Sequence, residues 1–499
     1  MAKNTSLIPV IIYDDSNSLA LDRQILQSDC NCDCDTSDCA CSTYITRHTI
    51  LKNVDRSQLQ VSPTKKIKID EKHNLYYGAF NAHTVLNKAA EQILIDIANK
   101  NSDQINSINK IYLYELVKSG LVFSDSSMPT EAVTNNYSSN TLSAWLHITD
   151  QCNLRCSYCY LPHTKEDMTA ETAQISIEKL FDSAKKHNYK RVKIKYAGGE
   201  PLLRFDLVKL CHEQAQKMAL KYKIPFDETI LTNSTLLNEE KAQQIKQMGM
   251  KVMISLDGLS QNHDNQRHYS DKSGSFQKVI AGINAAINAG IPPHISITVT
   301  ELNAPNLFEL VEWLLPLNLT FSLNFYRSNI YSQNLNDLYL REKIIIDGLL
   351  KAFAVLRETL PQWNMLSALG DRANFYQQHQ HTCGVGRDYL VFTPQGHLAK
   401  CQMDIHNYLN PHDQKDPVQL IREDTLGIQN LPVNSKSECS KCEWKHWCTG
   451  GCPLMTRRIK NNYTAKSPNC NIYKAIFPEI LRLEGLRLIK RYETEKFGA

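Results

Sequence analysis

Three cysteines at a fixed spacing, Cys152, Cys156 and Cys159, constrain this chain more than any other feature. They directly follow an alternating run over residues 142–149, which predicts a strand that ends in a tight loop. Thiols at a C-x3-C-x2-C spacing can converge there on one small inorganic group, and three is one fewer than a [4Fe-4S] cluster needs. A structural zinc site would require four ligands, and a disulfide would leave one cysteine over. The spacing therefore predicts a [4Fe-4S] cluster with one open iron.

This motif resembles that of the radical S-adenosylmethionine (SAM) enzymes, in which an aromatic residue, here Tyr158, precedes the last cysteine. The resemblance implies that Cys152, Cys156 and Cys159 are the catalytic cluster ligands and that the open iron binds SAM. In this family, reductive cleavage of SAM gives methionine and a 5'-deoxyadenosyl radical, which takes a hydrogen from an unactivated substrate carbon.

Length, charge and cysteine content narrow the class of protein further. A chain of 499 residues is too long for one ordinary core and suggests two to four domains. The net charge of +4 without a basic run argues against a nucleic-acid partner, and 16 cysteines favour metal or redox chemistry in a reducing compartment. The apolar stretch Leu7–Tyr13 lacks a preceding basic region and meets Asp14 and Asp15, so it does not read as a signal peptide. We expect a cytoplasmic protein without a membrane partner.

Strand and helix patterns alternate over residues 141–345, which predicts consecutive βα units around a parallel sheet. We expect six strands, near residues 143–149, 191–197, 226–233, 251–257, 294–300 and 320–326. The resemblance implies that these units form the partial (β/α)6 barrel of radical SAM enzymes. The predicted fold class is therefore α/β, with additional domains before and after the barrel.

Polar residues at the ends of these strands are the candidate SAM contacts. A Gly-Gly-Glu-Pro turn follows the second strand, where glycines would let the backbone approach a ligand and a carboxylate could receive an ammonium group. The polar residues after the later strands are individually weak signals, because ordinary strand-end caps use the same residue types. The resemblance implies cofactor-binding roles for Tyr158, Gly198, Gly199, Glu200, Asn233, Ser255 and Arg267. It assigns Glu200 to the methionine amino group and Arg267 to the carboxylate side of SAM.

Seven more cysteines come late in the chain: Cys383, Cys401, Cys439, Cys442, Cys448, Cys452 and Cys470. Their spacing resembles the SPASM extension, named for subtilosin, pyrroloquinoline quinone, anaerobic sulfatase and mycofactocin maturation, which carries two auxiliary [4Fe-4S] clusters. A zinc ribbon is the alternative, but its second pair would normally repeat a two-residue gap. The resemblance implies an outer cluster held by Cys439, Cys442, Cys448 and Cys470, and an inner cluster held by Cys383, Cys401 and Cys452. The predicted domains are a bridging helical segment over residues 346–382 and a SPASM domain over residues 383–490.

The inner set departs from the family in one respect. Fully ligated members supply another cysteine shortly before the first of the seven, whereas His379 and His381 occupy that neighbourhood here and the nearest upstream cysteine is Cys211. Cys211 lies in a helical stretch and is interpreted as a small buried hydrophobic residue. The inner cluster is thus expected to take its last ligand from water, a histidine, another cysteine or the substrate.

The region before the barrel divides into a tail and a small module. Residues 1–43 hold five cysteines between Cys30 and Cys41 without apolar periodicity, which predicts a flexible cysteine-rich tail, with metal capture as the alternative. Residues 44–128 show short strands followed by helices, an order that resembles the winged-helix-like domains that recognise the leader segment of ribosomally made peptides. In that family the leader adds as a strand at a sheet edge. A purely structural extension is the alternative.

Together these features predict a radical SAM oxidoreductase that matures a ribosomally synthesised peptide. The expected reaction installs a carbon-carbon, ether or thioether cross-link, with three [4Fe-4S] clusters and SAM as cofactors. The expected partners are a precursor peptide with a leader segment and a reductant such as flavodoxin or ferredoxin. The alternatives are oxidation of a single residue in a protein substrate, as in sulfatase maturation, and a non-catalytic iron-sulfur protein for electron transfer or sensing.

Overall fold

A computed structural model describes residues 8–13, 56–78, 83–124, 140–332, 338, 340–376, 378–409 and 416–497. The five cysteines of the predicted tail lie outside the described residues. No helix in the described part of the chain is long and apolar enough to cross a membrane.

The N-terminal region forms a four-stranded sheet, a two-stranded sheet and three helices. Its elements are β1 (Ile11–Tyr13), β2 (Leu59–Val61), β3 (Lys65–Lys68), β4 (His73–Tyr77), β5 (His83–Asn87), α1 (Lys88–Ala98), α2 (Ser102–Ser107), α3 (Lys110–Lys118) and β6 (Val122–Ser124). β2 and β6 form the two-stranded sheet. Four strands pair in the order β1-β5-β4-β3, all antiparallel, and are called the N-terminal sheet below. The predicted tail is wrong for residues 11–13, which add to this sheet as an edge strand. Their isolated β-branched run is too short to predict a strand without its partner.

A second, larger sheet forms the centre of the molecule. Its first elements are β7 (Thr141–Thr149), α4 (Ala170–Lys186), β8 (Arg191–Gly198), α5 (Phe205–Tyr222), β9 (Phe226–Thr232), α6 (Glu239–Gln247), β10 (Lys251–Ser255), α7 (Gln261–Asp264), α8 (Phe276–Asn288), β11 (His294–Val299), α9 (Leu307–Leu314) and β12 (Phe321–Phe325). The six strands β7 to β12 lie parallel to their neighbours in chain order. The predicted α/β class with a parallel sheet is confirmed. All nine residues of β7 are buried, as expected for a parallel strand covered on both faces.

The central sheet also takes strands from the C-terminal region. That region contains α10 (Glu342–Glu358), β13 (Tyr389–Phe392), β14 (Leu398–Ala399), α11 (Pro417–Glu423), α12 (Lys445–Cys448), α13 (Pro453–Lys460) and α14 (Cys470–Phe497). β13 pairs parallel with β7, and β14 pairs antiparallel with β13. The sheet therefore crosses the predicted boundary between the barrel and the C-terminal domain, which brings late cysteines close to the loop after β7.

One continuous core joins the three regions. The helix α14 packs on α10 and on strands of the N-terminal sheet. Leu75 and Tyr77 of that sheet share a buried cluster with Trp444 and Phe477 from the C-terminal region. The N-terminal sheet is thus part of the main body of the protein.

Candidate active site

The first three cysteines lie on the loop that leaves the carboxyl end of β7. The Leu154 amide donates to the Cys152 sulfur at 3.4 Å, and the Cys159 amide donates to the Cys156 carbonyl at 3.0 Å. Burial raises the pKa of all three thiols, that of Cys159 to about 12, and the Cys156 thiol adds to the effect at Cys152 and Cys159. Such thiols ionise only when a cation compensates their charge, as a metal centre does. The loop is therefore suited to metal ligation and not to a free nucleophilic thiolate.

The two glycines after β8 hold that strand against the cysteine loop. A Cβ built on Gly198 would lie 2.3 Å from the Thr149 carbonyl oxygen, and one on Gly199 would lie 2.1 Å from the Gln151 carbonyl oxygen. The Gly199 amide donates to the Thr149 carbonyl at 2.6 Å. In this structure the two glycines therefore allow close approach between two backbones. Their predicted contact with SAM stays a prediction.

Glu200 is fully buried beside this junction. Its carboxylate accepts hydrogen bonds from the Leu202 amide at 3.0 Å, the Thr232 hydroxyl at 2.6 Å and the Asn233 amide at 2.7 Å. Burial nevertheless raises its pKa to about 7. A carboxylate in this state would be favoured in its ionised form by an incoming ammonium group.

Tyr158 and Arg267 meet through a residue that sequence reasoning left without a role, Asp257. The Arg267 Nε donates to Asp257 Oδ2 at 2.6 Å, and the Tyr158 hydroxyl donates to the same oxygen. The guanidinium lies 5.1 Å from the centre of the Tyr158 ring, and its Nη1 lies 3.7 Å from the Cys156 sulfur. The position of Asp257 after β10 was visible in the sequence, but only the fold shows that it orients two candidate residues.

The remaining candidates lie at the same edge of the sheet. Asn233 Nδ2 donates to Asn153 Oδ1 at 2.9 Å and lies 3.8 Å from the Cys152 sulfur. Ser255 is half-buried at the end of β10. The structure therefore places Asn233 against the cysteine loop, whereas Ser255 is placed only at the same edge of the central sheet.

Four late cysteines, called the outer tetrad, line one cavity of about 120 Å³. Its members are Cys439, Cys442, Cys448 and Cys470. Burial raises the pKa of Cys448 to about 12, and Cys439 and Cys470 contribute in the same direction. These four thiols are the ones that the sequence pattern grouped.

The other three late cysteines, Cys383, Cys401 and Cys452, are called the inner triad. Burial raises the pKa of Cys401, with Cys452 and Cys383 as the next contributions, which places the three thiols near one another. Burial also acts to raise the pKa of Cys452, but Arg327 and Arg372 outweigh it and the net shift is downward.

The two histidines before Cys383 are both ordered. The His381 Nδ1 lies 3.1 Å from the Asn430 carbonyl oxygen, and burial lowers its pKa to about 3. Asn430 Nδ2 in turn donates to the Cys383 carbonyl at 2.6 Å. His381 therefore belongs to the surroundings of the inner triad through Asn430. His379 is buried, and its amide donates to the His446 carbonyl at 2.8 Å.

The thiols of the three cysteine sets do not converge on a single metal ion. Within the described residues, no three His, Cys, Asp or Glu side chains are close enough to hold one ion together. A four-iron cube binds its thiolates at separate corners, farther apart than ligands that share one ion. Arg267 beside Cys156 and Arg327 beside Cys452 are buried cations that would offset the negative charge of thiolate-ligated clusters.

The sequence of the barrel region identifies its class. Residues 146–313 match the family model of the Radical SAM superfamily. This part of the chain is a radical SAM domain, and the family implies a [4Fe-4S] cluster and SAM as cofactors. The resemblance drawn from the cysteine motif is confirmed at this level.

Three curated relatives show how far the similarity extends. An uncharacterized protein of Methanocaldococcus jannaschii is 35% identical over 34% of this chain and 57% of its own length. The radical SAM cyclopropyl synthase TigE of Paramaledivibacter caminithermalis is 21% identical over 70% of this chain and 76% of its own length. A GTP 3',8-cyclase of a Sulfurovum species is 31% identical over 36% of this chain and 54% of its own length. The chain thus spans little more than half the length of the first and third of these relatives.

Solved structures share the fold over a larger part of the chain. The structure of anSMEcpe with bound AdoMet has a TM-score of 0.58 at 18% identity and covers 70% of this chain and 98% of its own. The structure of anSMEcpe with AdoMet and the Cp18Cys peptide has a TM-score of 0.57 at 19% identity and covers 71% of this chain and 100% of its own. At these identities the likeness establishes the fold.

Proposed function

We propose that this protein is a radical SAM enzyme that modifies a peptide substrate. The observation that carries the proposal is the junction at the carboxyl edge of the sheet, where the loop of Cys152, Cys156 and Cys159 meets Glu200. The cyclopropyl synthase TigE, similar over most of its length, supports it. The peptide held by anSMEcpe, which shares the fold, is consistent with a peptide partner.

The residues of this junction have distinct proposed roles. Bound SAM supplies a 5'-deoxyadenosyl radical on reductive cleavage. Glu200 would receive the amino group of SAM. The three groups that donate hydrogen bonds to its carboxylate keep that carboxylate in one orientation. Asp257 fixes Tyr158 and Arg267 beside the cysteine loop. Gly198 and Gly199 are positioning residues, because they allow the backbone contact that joins Glu200 to the loop.

The late cysteines support two further clusters in a SPASM-type extension. The outer tetrad supplies four thiolates to one cluster, and the inner triad supplies three to another. Arg327 contacts Cys452 of the triad, and Asn329 of the same segment donates to the Tyr158 carbonyl at 3.2 Å. The inner triad is therefore connected to the first cysteine loop, and we propose that a cluster held by the triad would accept the electron released when the product bond forms. Flavodoxin or ferredoxin would supply the electron for SAM cleavage.

The proposed product is a cross-linked ribosomal peptide, with residues 44–128 as the leader-recognition module. In that module, β1 is added as a strand at the edge of the sheet. Because a leader peptide would bind by the same kind of strand addition, this observation favours a precursor with a leader as the substrate over a short motif in a folded protein. Cross-linking and single-residue oxidation both remove two hydrogens. They are distinguished by tandem mass spectrometry, because a cross-link suppresses fragmentation between the joined residues.

The test is the triple change of Cys152, Cys156 and Cys159 to Ala in anaerobically reconstituted protein. Three cubes correspond to about twelve irons, and we expect about four to be lost together with all formation of 5'-deoxyadenosine. The buried Cys211 lies outside the three sets, so Cys211→Ala is the matched control and should keep both. A triple variant that still cleaves SAM at the native rate would contradict the proposal.

A further inference from the structure

The strand β1 fills one edge of the N-terminal sheet although it lies far from the other strands of that sheet in the sequence. Residues 11–13 pair antiparallel with residues 84–86 of β5. The pairing continues outward, since the Asn87 amide donates to the Val10 carbonyl at 3.2 Å. Residues 14–55 separate this strand from the rest of the module. The edge of β5 is therefore occupied by a segment that is not its neighbour in sequence.

The edge of β5 carries a side chain that recognises the backbone of an added strand. Asn87 Oδ1 accepts from the Val10 amide at 3.0 Å, and Asn87 Nδ2 donates to the Ile8 carbonyl at 2.8 Å. The same Oδ1 accepts from the Ala90 amide at 3.0 Å, which caps α1. Because the cap alone orients Asn87, its amide remains ready for an incoming strand when β1 leaves. These contacts involve only main-chain groups of the strand, so they suit more than one sequence.

The side chains of β1 pack against two separate apolar clusters. Ile12 is buried, whereas Ile8 is 71% exposed. The Tyr13 hydroxyl donates to Glu115 of α3, and Lys118 lies over the Tyr13 ring at 5.7 Å. A cavity of about 250 Å³ borders the strand, between α3 and the C-terminal part of α14. The strand is thus bound by its backbone, by the buried Ile12, and by the partly buried side chains of Val10, Ile11 and Tyr13.

The opposite edge of the sheet is protected against strand addition. Three of the four residues of β3 are lysines, and the Arg482 Nε donates to the Lys68 carbonyl at 3.2 Å. Lysines and covered carbonyls are common ways to block an edge strand. The edge of β5 is therefore the receptive one.

We propose that residues 8–13 are a built-in occupant of a peptide-binding edge, and that an extended segment of a partner peptide displaces them. The partner segment has an aliphatic residue at the place of Ile12 and an aromatic residue directly after it. Strand addition supplies the affinity through backbone hydrogen bonds, and the two side chains supply selectivity. Identifying this peptide with a precursor's leader rests on the proposed function, but the binding itself does not.

The test uses a fluorescent peptide with the sequence of residues 5–16 and the reconstituted full-length protein. In an antiparallel ladder, hydrogen-bonded pairs alternate, so the bonded pair of Val10 and Asn87 makes Ile12 and Val85 the next bonded pair. Ile12→Pro removes a ladder bond, whereas Ile11→Pro changes an amide that points away from β5. Ile11→Pro is therefore the matched control.

We expect the peptide to bind the Ile12→Pro protein at least about tenfold more tightly than the native protein or the Ile11→Pro control, because an occupant tethered to the site competes at high effective concentration. Hydrogen exchange at the Val85 amide should speed up in the Ile12→Pro protein and slow again when the peptide is added. Equal affinity for all three proteins, or no binding to the Ile12→Pro protein, would overturn the proposal. Neither measurement needs SAM or turnover. A negative result in the binding test would therefore not contradict the proposed reaction, and evidence against the proposed reaction would not contradict the binding.

Discussion

Lys436 is a buried cation that lies between the two late cysteine sets. It is 2% exposed, and its Nζ donates to the Thr449 carbonyl at 2.7 Å. A Cβ built on Gly450 would lie 2.9 Å from the same Nζ. Thr449 and Gly450 belong to the segment that joins Cys448 of the outer tetrad to Cys452 of the inner triad. A positive charge at this place stabilises the reduced, more negative form of a cluster on either side.

Lys436→Met should therefore lower the reduction potentials of both auxiliary clusters. A nearby buried unit charge in partly screened surroundings is worth on the order of 100 mV for a one-electron couple. Potentiometric titration followed by electron paramagnetic resonance measures this shift. Lys441 lies between Cys439 and Cys442 but is exposed to solvent, which screens its charge, so Lys441→Met should leave both potentials nearly unchanged. Equal shifts in the two variants would show that the position of Lys436 is not what matters.

Glu200 should make the stability of the cluster-free protein depend on pH. Its pKa rises from 4.5 to about 7 on burial. Below the lower value the carboxyl is protonated in both folded and unfolded chains. Between the two values only the unfolded chain ionises, so the free energy of unfolding falls as pH rises. This decrease in the free energy of unfolding is complete above about pH 7 and amounts to about 3 kcal/mol.

Urea unfolding of the native and Glu200→Gln proteins at several pH values measures this dependence. Glutamine has no proton to release, so we expect the stability of the native protein relative to Glu200→Gln to fall as pH rises through this window. A difference that stays constant with pH would contradict a raised pKa at Glu200.

At the scale of elements, Asp371 joins the end of β12 to α14. Its Oδ1 accepts from the Phe325 amide at 2.9 Å and from Arg327 Nη2 at 2.8 Å, and its Oδ2 accepts from the Tyr473 hydroxyl at 2.7 Å. Arg327 is buried and also contacts Cys452. This carboxylate therefore balances a cation at the junction of the sheet, the last helix and the inner triad.

Asp371→Asn should lower the free energy of unfolding by about 3 kcal/mol, because it leaves the buried Arg327 without its carboxylate partner. Asparagine tolerates the positive φ of 55° at this position, so backbone strain does not contribute. Tyr473→Phe removes only one hydrogen bond and should cost about 1 kcal/mol. Denaturant unfolding compares the two variants, and similar losses would show that the charge pair contributes little.

The elements also show where prediction from sequence succeeds and where it stops. The six parallel strands were predicted within one or two residues because each carries apolar residues in a short stretch between clear helical patterns. β1 and β13 were missed because runs of three or four residues become strands only beside β5 and β7. The division of the late cysteines into an outer and an inner set came from the family resemblance that their spacing carries. Asp257, Arg327 and Lys436 were not, because a buried charge gains its role from partners distant in sequence.

Across the whole molecule, the N-terminal sheet packs directly on the segment that holds the outer tetrad. Tyr77 of β4 stacks on Trp444 at 5.9 Å between ring centres and contacts the edge of Trp447 at 5.5 Å. Both tryptophans lie between Cys442 and Cys448 in the chain, and Trp444 lines the cavity of the tetrad. Deleting the N-terminal module would uncover this core, so loss of activity after deletion would not by itself demonstrate leader recognition.

A point change tests the same contact without exposing the core. Tyr77 is 2% exposed, so Tyr77→Ala should lower the free energy of unfolding by about 3 kcal/mol or more. Because its neighbours position two thiols of the outer tetrad, we also expect about four of the irons to be released faster to a chelator. Tyr77→Phe keeps the ring and should retain its irons like the native protein. Tyr114 is 43% exposed on α3, so Tyr114→Ala should change neither the free energy of unfolding nor the rate of iron release. If Tyr77→Ala is destabilised but releases all its irons at the native rate, the N-terminal sheet supports the fold without supporting the outer site.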